Sequence, residues 1–437
     1  MKRALLVMIQ PPGCSGVQAL IYNKLLPYFD ELGWELHFAG PSPEMVSVLT
    51  EQLNYPSERL HYTRSVSASR QFSIRKNRFS KKSIPYLFFG LLQLVAQGLE
   101  KLSRHDSDSF LLHGLERTIR LAERQWDFDL IAGKSPDFKV LKLVSEVTRS
   151  IKKPFFAMID DPYGARDEGG FYPSQPELQK QIFGQCCGVL FMSPLTRDRY
   201  IQAGLVNPEI AAHSTDSYPE LADLYGPGQS PLSIQHSRSA DPSPLRMIYL
   251  GMLPEWRPIE PLLDALIGMG HGQGSRFTLH LDIYGYVYPA ARQRIQENSY
   301  LARMIRVHPM VSYSESHWLA EDADLQLVVI GPRHHDNYPS KFFEYLGHRK
   351  PILVLGPLQN PLKKIVDSLR IGLYVDGRDS QAITTALETI QLEYSSLQQA
   401  YHNHAPAIEA YSAHRVAARM AAILDSALAR QGALSPW

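Results

Sequence analysis

Cysteine is scarce in this chain of 437 residues; there are three, Cys14, Cys186 and Cys187. Their odd number and lack of repeated spacing exclude a disulfide framework and offer no zinc-ligand pattern, and a reducing, cytoplasmic setting is expected. An excess of one charge is missing too. Lys and Arg total 45 against 44 Asp and Glu, a net charge of +1, so nothing global favours nucleic acid as a partner. No run reaches the ~18 to 20 uninterrupted apolar residues that a membrane-spanning helix needs. The nearest, Ile84 to Leu99, is shorter and carries Gln93 and Gln97. The start, MKRALLVMIQPPG, is basic like a signal peptide, but its apolar run stops at Gln10 and two prolines, so a first strand is expected instead. A G-x-G-x-x-G loop is also lacking. The first loop reads PPGCSG, and WELHFAG ends without the acidic residue that would hold an adenosine ribose, which argues against a dinucleotide-dependent dehydrogenase.

What is present is alternation. RALLVMI reads as a strand, PPGCSG as a turn, VQALIYNKLLPYFDELG as a helix with Gly33 past its end, and WELHFAG as a second strand. Further strands are expected at DLIAG, PFFAMID and GVLFMS. From His213 to Arg246 the chain turns rich in Pro, Ser and Gly and loses its periodicity, as a linker does. The alternation then restarts with LRMIYLG, FTLHLDIYG, LQLVVIG and PILVLG, and Ala-rich helices follow from about Asp379. The length alone exceeds what one core of roughly 200 residues usually serves. The expectation is therefore an α/β chain of two doubly wound parallel-sheet halves. These are residues 1–212, a linker 213–245 and residues 246–409, with a last helix over about 410–437 free to pack back on the first half.

The most informative stretch is HHDNYPSKFFEYLGHRKPILVLG, His334 to Gly356. It runs from the end of one buried strand through a loop and a short helix into the next strand. In an open α/β sheet the strand end, loop and helix N-terminus converge where ligands bind. Ser340 reads as the N-cap, with Pro339 fixing the entry of the chain. Glu344 follows four residues later, about 6 Å along the same helix face. That spacing suits a nucleoside diphosphate, with phosphates on the free amides at the helix start and on Lys341, and the ribose hydroxyls on the Glu344 carboxylate. A plainer arrangement fits the same residues: Ser340 as a simple cap, Lys341 solvated, and Glu344 paired with Lys341 or Arg349.

PSKFFEYLGHRKPIL resembles the signature of GT-B fold glycosyltransferases, in the group 1, family 4-like branch that uses sugar nucleotides. In that family two carboxylates with seven residues between them flank the donor. Here Asp336 stands at that spacing from Glu344, a departure from the family's Glu. MIYLGMLPEWRPIEPLLDAL is similar to the family's phosphate-binding segment. Gly251 holds its glycine, Arg257 stands for its Lys, and Met252 replaces its Arg. PPGCSGVQAL places Gly13 and Gly16 where the family's glycine loop lies against donor and acceptor, and DDPYG resembles its D-P-W turn.

The resemblance implies a UDP- or GDP-sugar as donor, no bound cofactor or metal, and retention of anomeric configuration. Positive groups and helix dipoles would stabilise the leaving diphosphate. It also implies a glycan or polyprenyl-linked acceptor. The absence of a D-x-D motif between strands agrees with a metal-free transfer. On the acceptor side Asp161 and Asp137 are candidate catalytic groups, with a turn residue and a helix N-cap as their plainer roles. Asp336 is the candidate contact to the sugar. His213 reads as a solvated linker residue. His334 and His335 lie beside the donor loop without the third ligand a zinc site would need.

Arg64 to Lys82 carries seven basic residues and no acidic one, and the amphipathic Ile84 to Leu99 follows. This pair suits an anionic membrane surface, or else a solvated loop beside a core helix. Two rivals to the transferase share the fold: a sugar-nucleotide 2-epimerase, with His334, His335 and Asp336 around the hexose, and an inactive nucleotide-sugar-binding partner protein.

Overall fold

A computed structural model of the chain describes residues 1–12, 17–43, 55–63, 76, 83–102, 107–135, 138–167, 170–219, 244–271 and 279–434. Gly13, Gly16, Asp137 and all of the basic run but Lys76 lie outside the described residues. In chain order the strands of the first half are β1 (Lys2–Val7), β2 (Trp34–Pro41), β3 (Leu60–Thr63), β4 (Leu130–Lys134), β5 (Phe155–Ile159), β6 (Gly164–Asp167), β7 (Gly170–Pro173), β8 (Cys186–Phe191) and β9 (Ala211–His213). Those of the second half are β10 (Leu245–Leu250), β11 (Leu279–Tyr284), β12 (Ile305–His308), β13 (Leu325–Val329), β14 (Ile352–Gly356) and β15 (Gly372–Asp376).

Two parallel sheets result, ordered β3-β2-β1-β4-β5-β8-β9 and β12-β11-β10-β13-β14-β15, while β6 and β7 form a small antiparallel hairpin. The central strands are apolar on both faces because helices cover both. Every residue of FFAMI in β5, LQLVV in β13 and ILVLG in β14 is buried. In each sheet the strand order reverses at the centre, between β1 and β4 and between β10 and β13. The chain leaving the carboxyl ends of these strands opens a crevice there.

The last helix, Ala413–Leu434, returns to the first half. It buries Ala413, Val416, Ala417, Met420 and Leu424 against Leu6, Phe156 and Leu190, the helical spacing of a core-facing stripe. His213, read as the first linker residue, instead ends β9 opposite Phe191 and bonds Arg197 at 2.7 Å. The sequence pattern does not announce β3, β9, β12 and β15 or the β6-β7 hairpin, since these short segments mix polar residues or glycine among their apolar ones instead of forming an aliphatic run like β5 or β14.

Candidate functional site

The crevice of the second half is built on two glycines. Gly251 leaves β10 at φ +118° and Gly285 leaves β11 at φ +138°, a backbone region that side chains rarely adopt. A Cβ on Gly285 would meet the Gly251 carbonyl at 2.0 Å, and one on Gly251 would lie 3.5 Å from Lys341 Cε. The two strand ends therefore pack closely, and Lys341 reaches across Gly251.

Lys341 comes from the helix Ser340–His348, and here one expectation is corrected. Pro339, not Ser340, is the N-cap, with extended backbone (φ -73°, ψ 122°) and no side-chain cap bond. Proline fixes that φ, so Ser340 already has helical geometry and its hydroxyl does not serve as the cap. The first turn thus presents Ser340 and Lys341 beside amides that lack intrahelical acceptors.

Among the described residues no carboxylate forms an ion pair with Lys341. Its ammonium stands 5.7 Å over the Tyr345 ring. Burial holds its pKa below the ordinary lysine value, Arg257 and Lys24 push the same way, and Glu344 opposes them. Arg257 is similarly placed. Its guanidinium lies 4.6 Å over the Trp256 ring, Nη1 donates to the Met252 carbonyl at 3.4 Å, and Nε is buried without a partner. Trp256 stacks on His334 at 4.5 Å, and Asn360 donates to the His334 and Asn337 carbonyls at 3.2 and 3.0 Å. Together these contacts fix the loop ahead of the helix. Two cations, short of anions, flank a helix N-terminus at the strand-order reversal of a parallel sheet, an arrangement that attracts phosphate.

Glu344 faces the other half of the molecule. Its Oε1 accepts from Tyr313 Oη at 3.2 Å and from Lys24 Nζ at 3.4 Å. Lys24, in the helix Val17–Phe29, also bonds Asp216 at 2.9 Å and the Ser217 carbonyl at 2.8 Å. Burial would push the Glu344 carboxyl up, but Lys24, Lys341 and His317 outweigh it and its pKa is lowered. Neither Lys24 nor Asp216 carries a local sequence signal, because they meet only through the fold. Below Glu344, His317 and His348 share a buried Nδ1 to Nε2 contact of 3.0 Å. Burial lowers the pKa of both, that of His317 to about 4.

Three further acidic residues, two from the first half and one from the second, lie on or beside the seam between the halves. Asp160, at the end of β5, takes Lys134 Nζ at 2.5 Å and Gln18 Nε2 at 3.0 Å. Burial pushes the Lys134 pKa down, but Asp160 and Tyr22 outweigh it and the pKa is raised above the ordinary lysine value. Asp161 accepts from Asn337 across the seam at 2.8 Å, so this candidate does stand at the junction of the halves. Asp336 does not face open space. It is fully buried and paired with Arg199 at 3.0 Å, and its carbonyl accepts from Ser193 Oγ and from Thr196 Oγ1. His335 is buried too, bonding the Pro332 carbonyl at 3.1 Å. Among the described residues no group of three or more His, Cys, Asp or Glu could hold a metal ion.

Two doubly wound halves facing one crevice define a class of α/β protein, and solved structures name it. The chain is similar to HepE of Anabaena in complex with UDP, at 13% identity over 98% of this chain and 100% of that one, with a TM-score of 0.60. It is similar to sucrose-phosphate synthase of Thermosynechococcus elongatus, at 14% identity over 100% of both chains and a TM-score of 0.63. A glycosyltransferase of Rickettsia africae matches at 12% identity over 100% of this chain and 99% of that one, also at 0.63. No family model and no curated protein sequence matches. The fold is GT-B, that of the glycosyltransferases whose donor motif the sequence resembles.

Proposed function

We propose that the chain is a glycosyltransferase that moves a sugar from a UDP- or GDP-linked donor to a glycan or polyprenyl-linked acceptor. One observation carries the reading: Lys341, in the first turn of the helix Ser340–His348 and against Gly251, and Arg257, bonded to the Met252 carbonyl next to that glycine, have no ion-pair partner among the described residues. Pro339 sets the entry of that helix, and Ser340 offers its hydroxyl to the same anion. The solved structures of HepE, whose titles record UDP and UDP-glucose, support a donor of this kind.

In the proposed reaction the bond from the anomeric carbon to the donor phosphate oxygen breaks, the acceptor hydroxyl oxygen bonds that carbon and gives its proton to the leaving phosphate or to solvent, and the nucleoside diphosphate departs with the bonding electrons and added negative charge. Lys341, Arg257 and the helix amides meet that charge, which is electrostatic stabilisation by groups already in position. Because these cations supply what a divalent ion supplies elsewhere, a metal-independent transfer is the form proposed, with retention of configuration. Glu344 takes the ribose hydroxyls once Lys24 yields. Asp161 and Asp137 serve the acceptor side, with Gly13 and Gly16 in the loop beside it. Asp336, buried against Arg199, supports the donor loop as a positioning residue. An epimerase would need Asp336 and His335 around the hexose, and their burial disfavours that rival.

The test is a thermal-shift panel of UDP, GDP and their sugars, followed by assay of UDP or GDP release from the sugar nucleotides. A true donor at about 100 times its Kd should add about 2.7 kcal/mol of apparent stability. Failure of every nucleotide to shift the protein, with no UDP or GDP released from any sugar nucleotide, would remove the reading.

A further inference from the structure

The helix Ile84–Leu102 stands apart from both cores. Of residues 84–97 only Ala96 is buried. Ile84, Leu87, Phe88, Leu91, Leu94 and Val95 are between 54% and 83% exposed. At ~100° per residue these six fall within an arc of about 120°, with Gln93 and Gln97 on the opposite side. An exposed apolar stripe of this length marks an interaction surface rather than scattered surface residues.

The sequence beside it indicates the occupant. Arg64 to Lys82 holds seven cations and no anion. One of them, Lys76, lies along the helix, donating to Gln93 at 2.8 Å and standing 5.4 Å over the Tyr86 ring. No described helix is long and apolar enough to cross a membrane. A helix with a broad apolar face, flanked by cations and unable to span, suits the plane of an anionic bilayer, where apolar burial and headgroup charge act together. An apolar protein groove would use the stripe but gives no role to the run of cations that precedes it in the sequence. We propose that this helix docks the protein on an anionic lipid surface, burying the stripe from Ile84 to Val95.

The experiment is co-sedimentation of the full chain with vesicles of phosphatidylcholine, alone or mixed with phosphatidylglycerol. The full chain should pellet with the mixed vesicles only, and added salt should release it. Phe88→Asp with Leu91→Asp should lower the partition coefficient about tenfold or more, while its melting temperature stays unchanged because both side chains are exposed. Replacing Arg75, Arg78, Lys81 and Lys82 by Ser should lower it about fivefold per cation lost. Equal binding to both vesicle types, or undiminished binding by either variant, overturns the proposal. So does a dimer that the first variant dissolves without any vesicle binding by the full chain, which would assign the stripe to a second copy. The surface is independent of the donor reading, since neither variant alters a residue assigned to the donor site and any thermal shift by UDP should persist in both.

Discussion

Lys24 Nζ lies 3.4 Å from Glu344 Oε1 although 320 residues separate them. With Asp216 at 2.9 Å from the same ammonium, the pair joins the first half of the molecule to the carboxylate assigned to the donor ribose. Removing one member of a buried pair leaves the other charge unanswered, at a cost of about 3 to 5 kcal/mol. Lys24→Met should therefore destabilise the protein by that order in denaturant unfolding. Lys24→Met with Asp216→Asn should recover part of the loss, because no unpaired buried carboxylate remains at that position. A silent single variant would show that the contact does not form in solution.

Lys341 gives a pH dependence with a defined sign. Its free-state pKa is lowered, chiefly by burial, and a diphosphate binds the protonated ammonium. Affinity for UDP should be full at neutral pH and fall as pH rises through a value below that of an ordinary lysine. Lys341→Arg, which does not titrate in this range, should flatten that limb. Titration calorimetry across alkaline pH checks both outcomes.

The His317–His348 pair predicts acid sensitivity. Burial holds His317 near 4, so the folded protein keeps it neutral while the unfolded chain takes up a proton below about 6.5. Its contribution is fully present above that pH and is lost as pH falls towards 4, up to about 3 kcal/mol. The groups acting on His317 are His348, Glu344, Lys24 and Lys341. His317→Asn should reduce the slope of melting temperature against pH over this window.

Asp336 separates a positioning role from a catalytic one. Its carboxylate is fully buried and bonded to Arg199. Arg199→Ala should cost about 3 to 5 kcal/mol of stability, and it should raise KM for the donor more than it lowers kcat. A loss confined to kcat, with stability unchanged, would instead place Asp336 on the sugar.

The long central strands and the stretch from His334 to Gly356 were legible because parallel strands buried on both faces read as aliphatic runs and because a helix between two such runs must open at the sheet edge. Gly251 and Lys341 lie 90 residues apart in the sequence, and the fold packs them so closely that a Cβ on Gly251 would lie 3.5 Å from Lys341 Cε. Ser340 misled because its side chain is a good cap, whereas the helix start was decided by the fixed φ of Pro339. Asp336 was read as facing the sugar from its spacing to Glu344, but the loop that carries it packs on Arg199, Ser193 and Thr196, more than 130 residues away in sequence. Lys24, Asp216 and the His317–His348 pair were missed for the same reason: each is defined by a tertiary contact, and none sits in a motif.

The central claim is that Lys341 and Arg257 hold the diphosphate of a nucleotide donor at the start of the helix Ser340–His348. Titration calorimetry of UDP and GDP with the full chain, with Lys341→Ala and with Arg257→Ala tests it most directly. The account predicts that one nucleotide binds the full chain and that each substitution weakens it by about 1.5 to 3 kcal/mol, the value of a charged hydrogen bond. Binding by both variants as tight as by the full chain, or no binding of either nucleotide to the full chain, would contradict it.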